Sequence, residues 1–120
     1  MINQRPHKNL KLWIESMDLL TFIYDLTSRF PREEEFGLKS QLRRASVSIP
    51  SNVAEGLKRR TVNDKLHFLN IADGSLSEID TQFEISLRLG FIDMKNFESV
   101  ENKIIIIQKL LSGLIRSMKK

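Results

Sequence analysis

The sequence predicts an all-α protein: an antiparallel up-down four-helix bundle with a kinked second helix. Three observations carry this. Apolar residues recur at three- and four-residue spacing along four stretches of the chain. Nowhere does a run of Val, Ile or Thr alternate with polar residues between turn signals, as a strand would require. Only 5 Gly and 3 Pro interrupt 120 residues, which leaves room for long helices joined by short connections, and the antiparallel bundle is their simplest arrangement.

Asn9 is placed to cap the first helix. Leu10, Trp13, Met17, Leu20, Tyr24 and Thr27 form one stripe along it, and Leu12, Leu19, Ile23, Leu26 and Phe30 form a second. Together they make an apolar face wider than one neighbouring helix needs. Phe30-Pro31 ends this helix, because the residue before a proline avoids helical angles. Pro31 suits the first turn of helix two, and Glu33, Glu34 and Glu35 favour a helix N-terminus through the dipole. Gly37 weakens the turn that follows, and Gly56 is a C-terminal stop.

Thr61 with Asp64 resembles a capping box that opens helix three. Leu66, Leu69, Ala72, Leu76, Ile79, Phe83 and Leu87 then lead to a stop near Gly90. Helix four starts at Asp93 or a neighbour and carries Phe97, Val100, Ile104, Ile107, Leu111, Leu114, Ile115 and Met118. Four consecutive isoleucines, Ile104 to Ile107, point to every side of a helix, since successive residues are about 100° apart. Helix four is therefore expected to be buried on two faces, one in its own bundle and one against another subunit.

The most informative segment is Ser40 to Gly56. It reads as helix through Leu42, Ala45, Ile49 and Val53, yet Pro50 sits near its centre among Ser46, Ser48, Ser51 and Asn52. An interior proline removes a backbone donor and clashes one turn back, at a cost of about 3 kcal/mol. A chain that accepts this uses the kink, or the polar groups around it, for packing or for a site. Asp73-Gly74-Ser75 again places small residues in mid-helix. A tight crossing of helices two and three follows, with a structural polar network drawn from Arg44, Ser48, Asn52, Glu55, Ser75 and Glu78. A small-ligand pocket at Asn52, Glu55 and Glu78 is the competing reading.

A single domain over residues 1–120, with 1–8 a flexible N-terminus, fits the length. The absence of cysteine rules out disulfides and thiol catalysis and fits a reducing cytoplasm. The first eight residues lack the apolar core of a signal peptide, and the isoleucine run is far too short to span a bilayer. No membrane partner is therefore expected.

Catalytic chemistry finds little support. Asp64 and His67 give one Asp-x-x-His element, but the only other histidine is His7, so no di-metal pair can be assembled and no metal or cofactor is expected. The serines lack a nearby histidine or a strand-to-helix elbow, and no phosphate-cradling glycine loop occurs. An enzyme is not expected. The net charge of +4, with Lys39, Arg43, Arg44, Lys58, Arg59, Arg60 and Lys65 near the two ends of helix two, points instead to polyanions. Lys58, Arg59 and Arg60 are the leading phosphate candidates, with Arg43 beside them. Arg43 or Arg44 could equally pair with Glu55, Glu78 or a carboxylate of a neighbouring subunit. The aromatics do not interleave with these bases as single-strand stacking would need.

Leu12-Trp13, Phe30-Pro31, Glu35-Phe36-Gly37-Leu38, Ser40 to Ala45, Ser48 to Gly56 and Ile71 to Glu78 resemble the pattern of the four-helix bundle proteins related to the 23S rRNA intervening-sequence proteins. The resemblance runs over roughly residues 10 to 115. It implies a ring-like homopentamer. A relative within this resemblance, the accessory variability protein of diversity-generating retroelements, is a basic pentameric barrel that binds nucleic acid and its reverse transcriptase. The expected function is thus a non-catalytic cytoplasmic oligomer that binds RNA or DNA through Lys58, Arg59, Arg60 and Arg43. The alternative is a scaffold that recruits a protein partner and binds no nucleic acid.

Overall fold

The computed structural model describes residues 6–120. Four helices, α1 (Lys11–Thr27), α2 (Leu38–Leu57), α3 (Val62–Arg88) and α4 (Met94–Met118), account for most of them, with short 3-10 turns at Pro6–Asn9 and Arg32–Glu34 and no strand among the described residues. Of the N-terminal segment expected to be flexible, residues 1–5 lie outside the described residues. His7 lies edge-on against Trp13, with ring centroids 5.2 Å apart.

Side-chain pairings fix the direction of each helix. Gln41 meets Gln82 and Ser48 meets Ser75, so numbers fall on α3 as they rise on α2. Gln108 bonds Asp73, while Glu101 faces Asp80, which makes α3 and α4 antiparallel in the same way. Phe30 against Phe91 and Phe22 beneath Lys103 close α4 onto α1. Each helix packs on its chain neighbours, α4 closes on α1, and the backbones of diagonal helices stay more than 8 Å apart among the described residues. This is the up-down bundle that the spacing predicts.

The second stripe of α1 is the one that enters the core. Leu12, Leu19, Ile23 and Leu26 join Leu42, Ile49, Val53, Leu69, Leu76, Ile79, Phe83, Val100, Ile107 and Leu111 in one cluster. Of the first stripe, Trp13, Met17 and Leu20 lie half-covered along the seam between α1 and α2, where they line a shallow groove with Val47, Pro50 and Ala54, while Thr27 is buried and Tyr24 exposed. On α4, Ile104 and Ile107 are buried, whereas Ile105 and Ile106 are 50% and 42% exposed. The isoleucine run therefore has one face in the bundle and one in solvent. Buried hydroxyls on the helices are satisfied locally: Ser16, Thr27 and Ser86 donate to the carbonyls of Leu12, Ile23 and Gln82.

Several helix ends differ from the sequence reading. Leu10, not Asn9, is the residue before α1, and no side chain caps it. α1 stops at Thr27, three residues before Phe30, and Pro31 precedes a 3-10 turn rather than opening α2. The Glu34 carboxylate accepts the Leu38 amide, and Lys39 pairs with Glu35, holding that carboxyl below its ordinary range. Gly56 lies inside α2 rather than after it. A Cβ there would come within 3.3 Å of the Lys65 carbonyl and of Phe68 Cβ, so the glycine serves the close approach of α3. Thr61 accepts the Asp64 amide, Asp93 accepts that of Asn96, and Gly90 adopts φ +81, all as expected. α2 continues through Pro50 as one helix, with the proline buried.

One carboxyl in the α3–α4 seam is held uncomfortably. Burial first, then the Asp80 carboxyl and Glu84 across the seam, raise the Glu101 pKa above its ordinary value of 4.5. An acid with a raised folded pKa is stabilising while protonated and loses that advantage as pH rises through the shifted value. Glu101→Gln is therefore expected to raise Tm at neutral pH, with the gain vanishing below pH 4.5. Thermal melts across pH that show no such difference would contradict the carboxyl cluster.

Candidate nucleic-acid interface

Lys58, Arg59 and Arg60 occupy the corner between α2 and α3, and all three are exposed. The chain must turn here within four residues, between Leu57 and Val62, so successive side chains splay outward. Arg59 is the positioned member. Its guanidinium pairs with Glu55 one turn back and lies over the Phe68 ring, 4.7 Å from the centroid. That geometry orients the base while leaving one face open. Lys58 and Arg60 make no ion pair among the described residues. Lys65, on the first turns of α3, reaches back to the Leu57 carbonyl at 3.4 Å.

The topology enlarges this corner in a way the sequence reading missed. An even number of antiparallel helices brings both chain ends to the level of the α2–α3 connection. With Gln108 opposite Asp73, Arg116 stands level with Lys65, and Lys119 with the start of α3. Lys8 lies at the same end, in the turn before α1. The bundle is thus polarised: bases from the first turn, the α2–α3 corner and the last turn of α4 share one end, offset there mainly by Glu15, Glu55 and Asp64. The opposite end carries Glu33, Glu34, Glu35 and Asp93 together with Arg29, Arg32, Lys39, Arg88 and Lys95, so its charges largely cancel. Four helices with short connections, counted in the sequence, hold the signal that places residues 116–120 with residues 58–60.

Arg43 is not part of this end. Its Nε donates to the Thr27 hydroxyl at 2.9 Å, its Nη2 donates to the Tyr24 carbonyl at 3.0 Å, and its guanidinium lies 4.3 Å from the Tyr24 ring centroid. It satisfies the C-terminus of α1, four helical turns from Arg59 along α2. The same geometry brings Tyr24 and the exposed Phe36 beside Lys39, Arg43 and Arg44, an aromatic–basic grouping that the linear order conceals.

The predicted polar network is divided among three places. Ser75 and Ser48 hydroxyls bond at 2.8 Å across α2 and α3, and Asn52 donates to both the hydroxyl and the carbonyl of Ser48. Glu78 lies about one helical turn nearer the opposite end, where Gln82, a turn further on, donates to it and to Gln41. Glu55 turns to Arg59. Arg44 points out of α2 with no hydrogen bond or ion pair among the described residues. The close crossing is real, but Gly74 does not cause it: a Cβ at that position would meet nothing within 4 Å. Among the described residues, no three His, Asp or Glu side chains converge as a metal site would require. No helix among them is long and apolar enough to cross a membrane.

Comparison with known proteins agrees with this architecture. A crystal structure at 1.70 Å of a protein of unknown function from the S23 ribosomal protein family of Bacteroides thetaiotaomicron superposes with a TM-score of 0.80. It shares 27% identity and covers 87% of this chain and 97% of its own. No curated protein matches the chain. Residues 8–113 fit the family described as 23S rRNA-intervening sequence protein, a span that takes in all of α1, α2 and α3 and most of α4. With the sequence pattern, the four-helix fold and this near-complete match in agreement, the chain belongs to the 23S rRNA-intervening sequence protein family.

Proposed function

We propose that the chain is a non-catalytic, self-associating helical bundle that binds nucleic acid through phosphates at its basic end. The observation that supports this best is the convergence of Lys58, Arg59 and Arg60 with Lys65, Arg116 and Lys119 at one end, against few carboxylates. Lys58 and Arg60, exposed and without an ion pair among the described residues, are free to neutralise phosphates, and neutralisation releases counterions from a polyanion. Recognition of this kind reads backbone rather than base edges, so RNA and DNA of many sequences are both ligands. Self-association is supported by the apolar side chains that the isolated bundle leaves open, Ile105 and Ile106 on α4 and Phe36 before α2.

Fluorescence anisotropy of nuclease-treated protein against labelled RNA and DNA, titrated across a salt series, tests the reading. Binding with a steep negative dependence of log K on log salt is the expected result. No binding at low salt would assign the charge to solubility and leave a protein-recruiting scaffold, served by the same exposed apolar groups, as the function.

A further inference from the structure

Gln82 is a buried amide that gives more than it receives. It is 7% exposed, and its carboxamide oxygen is buried with no hydrogen-bond partner among the described residues. Its Nε2 donates in two directions, to Gln41 Oε1 at 2.9 Å and to Glu78 Oε2 at 3.1 Å. Desolvating an amide oxygen without returning a bond is unfavourable, and a hydrocarbon side chain of similar size would avoid that cost. What the arrangement achieves is to fix two acceptors side by side. An amide oxygen has two lone pairs and a carboxylate about four acceptor sites, so Gln41 and Glu78 both keep capacity beyond the bond each takes from Gln82. Gln41 cannot turn its own amide over without losing that bond.

These acceptors line a hollow of about 600 Å³ between α2 and α3. Glu78 is exposed there and takes part in none of the ion pairs among the described residues. The nearby bases of α2 serve another place: Lys39 pairs with Glu35, and Lys39 and Arg44 both line a separate hollow with Tyr24 and Phe36. The Gln41–Gln82 and Ser48–Ser75 bonds set a register in which Leu38 stands level with Ile85. The hollow thus has an apolar end about one turn, or 5 Å, beyond Gln82. On the other side of Glu78 the wall is low, because a Cβ at Gly74 would meet nothing within 4 Å. Negative charge, spare acceptors and a short apolar wall are the complement of an organic cation with N–H donors and a hydrocarbon stem. A guanidinium suits them better than an ammonium. It is planar, weakly hydrated and presents N–H groups along more than one edge, so one edge serves the carboxylate and another the amide oxygen.

We propose that the hollow between α2 and α3 binds an alkylguanidinium group, with the cation bridging Glu78 and Gln41 and the stem lying against Leu38 and Ile85. Gln82 is the positioning residue that holds the two acceptors together. The site stands apart from the Lys58–Arg60 corner and requires neither nucleic acid nor self-association.

The test is isothermal titration calorimetry of the full chain with n-butylguanidinium as the probe. A Kd of about 1 mM or tighter is expected. Tetramethylammonium, which has the same charge and no N–H, should bind at least about tenfold more weakly. Glu78→Gln, at an exposed position, should weaken the probe by about tenfold or more. Gly74→Leu should abolish binding by filling the space beside Glu78, with helicity retained by circular dichroism. Gln82→Leu leaves both acceptors in place but unfastened, and should collapse the preference for n-butylguanidinium over tetramethylammonium, a ratio that a merely structural role would not move. N-acetylarginine amide, titrated in parallel, distinguishes the source of the group. Tighter binding than n-butylguanidinium assigns it to an arginine of a polypeptide and weaker binding to a free small molecule, and either result retains the site. No saturable heat up to about 10 mM probe, equal affinity for the two cations, or unchanged binding by Glu78→Gln would each overturn the proposal.

Discussion

Replacing Lys58, Arg59 and Arg60 together by alanine is expected to weaken nucleic-acid binding by about 10- to 100-fold at low salt, and to do so evenly across sequences. Each phosphate contact contributes about 0.7–0.9 to the slope of log K against log salt, so the slope should flatten by about 2–3 per copy. The fold should survive. Arg59 gives up one exposed pair with Glu55 and a stacking contact on Phe68, and exposed pairs of this kind contribute about 1 kcal/mol or less. Residual binding is expected, because Lys65, Arg116 and Lys119 remain at the same end. Anisotropy titrations of the variant at several salt concentrations measure both quantities; an unaltered slope would mean that the corner does not touch phosphate.

The largest loss of stability is expected at Phe83. It is 1% exposed and is among the largest fully buried side chains, at the centre of the cluster contributed by all four helices. Truncation to alanine removes the transfer free energy of the ring and leaves a cavity that packed neighbours fill only in part, at a cost of about 3–5 kcal/mol. That is a large share of the stability of about 5–15 kcal/mol usual for a domain, and it should lower Tm by roughly 10–20 °C. Phe36 is the internal control. The same substitution at a ring that is 93% exposed should change the stability of the isolated chain by no more than about 0.5 kcal/mol. Urea denaturation of both variants, at a dilution where the chain is monomeric, separates the two positions. Equal losses would mean that Phe36 is not held in solvent.

What could be read from the sequence follows from how far each signal reaches. Thr61, Asp93 and Gly90 were legible because a cap or a left-handed residue acts within one helical turn. The end of α1 was not, since Arg43, sixteen residues on from Thr27 and sited on another helix, donates to the Thr27 hydroxyl and to the Tyr24 carbonyl there. Gly56 looked like a stop because helices often end at glycine, yet here the residue answers to Lys65 and Phe68 across the seam. Glu55 and Arg59, four apart across the end of α2, could have been paired at once from spacing alone. The Gln41–Gln82 contact had no such local signature, being set only when α2 and α3 take their register. The corner at Lys58–Arg60 was visible as a charge run, but its enlargement by Arg116 and Lys119 needed the topology.

The polarised charge has a thermodynamic consequence for assembly. Under the proposed self-association, copies standing side by side and parallel would bring their basic ends together, and every added copy would work against electrostatic repulsion from those already present. A polyanion that spans the gathered ends relieves this repulsion, and so promotes assembly as it binds. Linkage makes the effect reciprocal: whatever favours the assembled state must tighten the grip on the polyanion by the same factor. At low salt, adding a short heparin chain should therefore raise the sedimentation coefficient by more than the ligand's own mass explains, and concentrated salt should reproduce part of that rise without any ligand. A sedimentation coefficient that follows ligand mass alone would show that the two processes are independent. A rise beyond the ligand's mass would mean that charge neutralisation sets the degree of association.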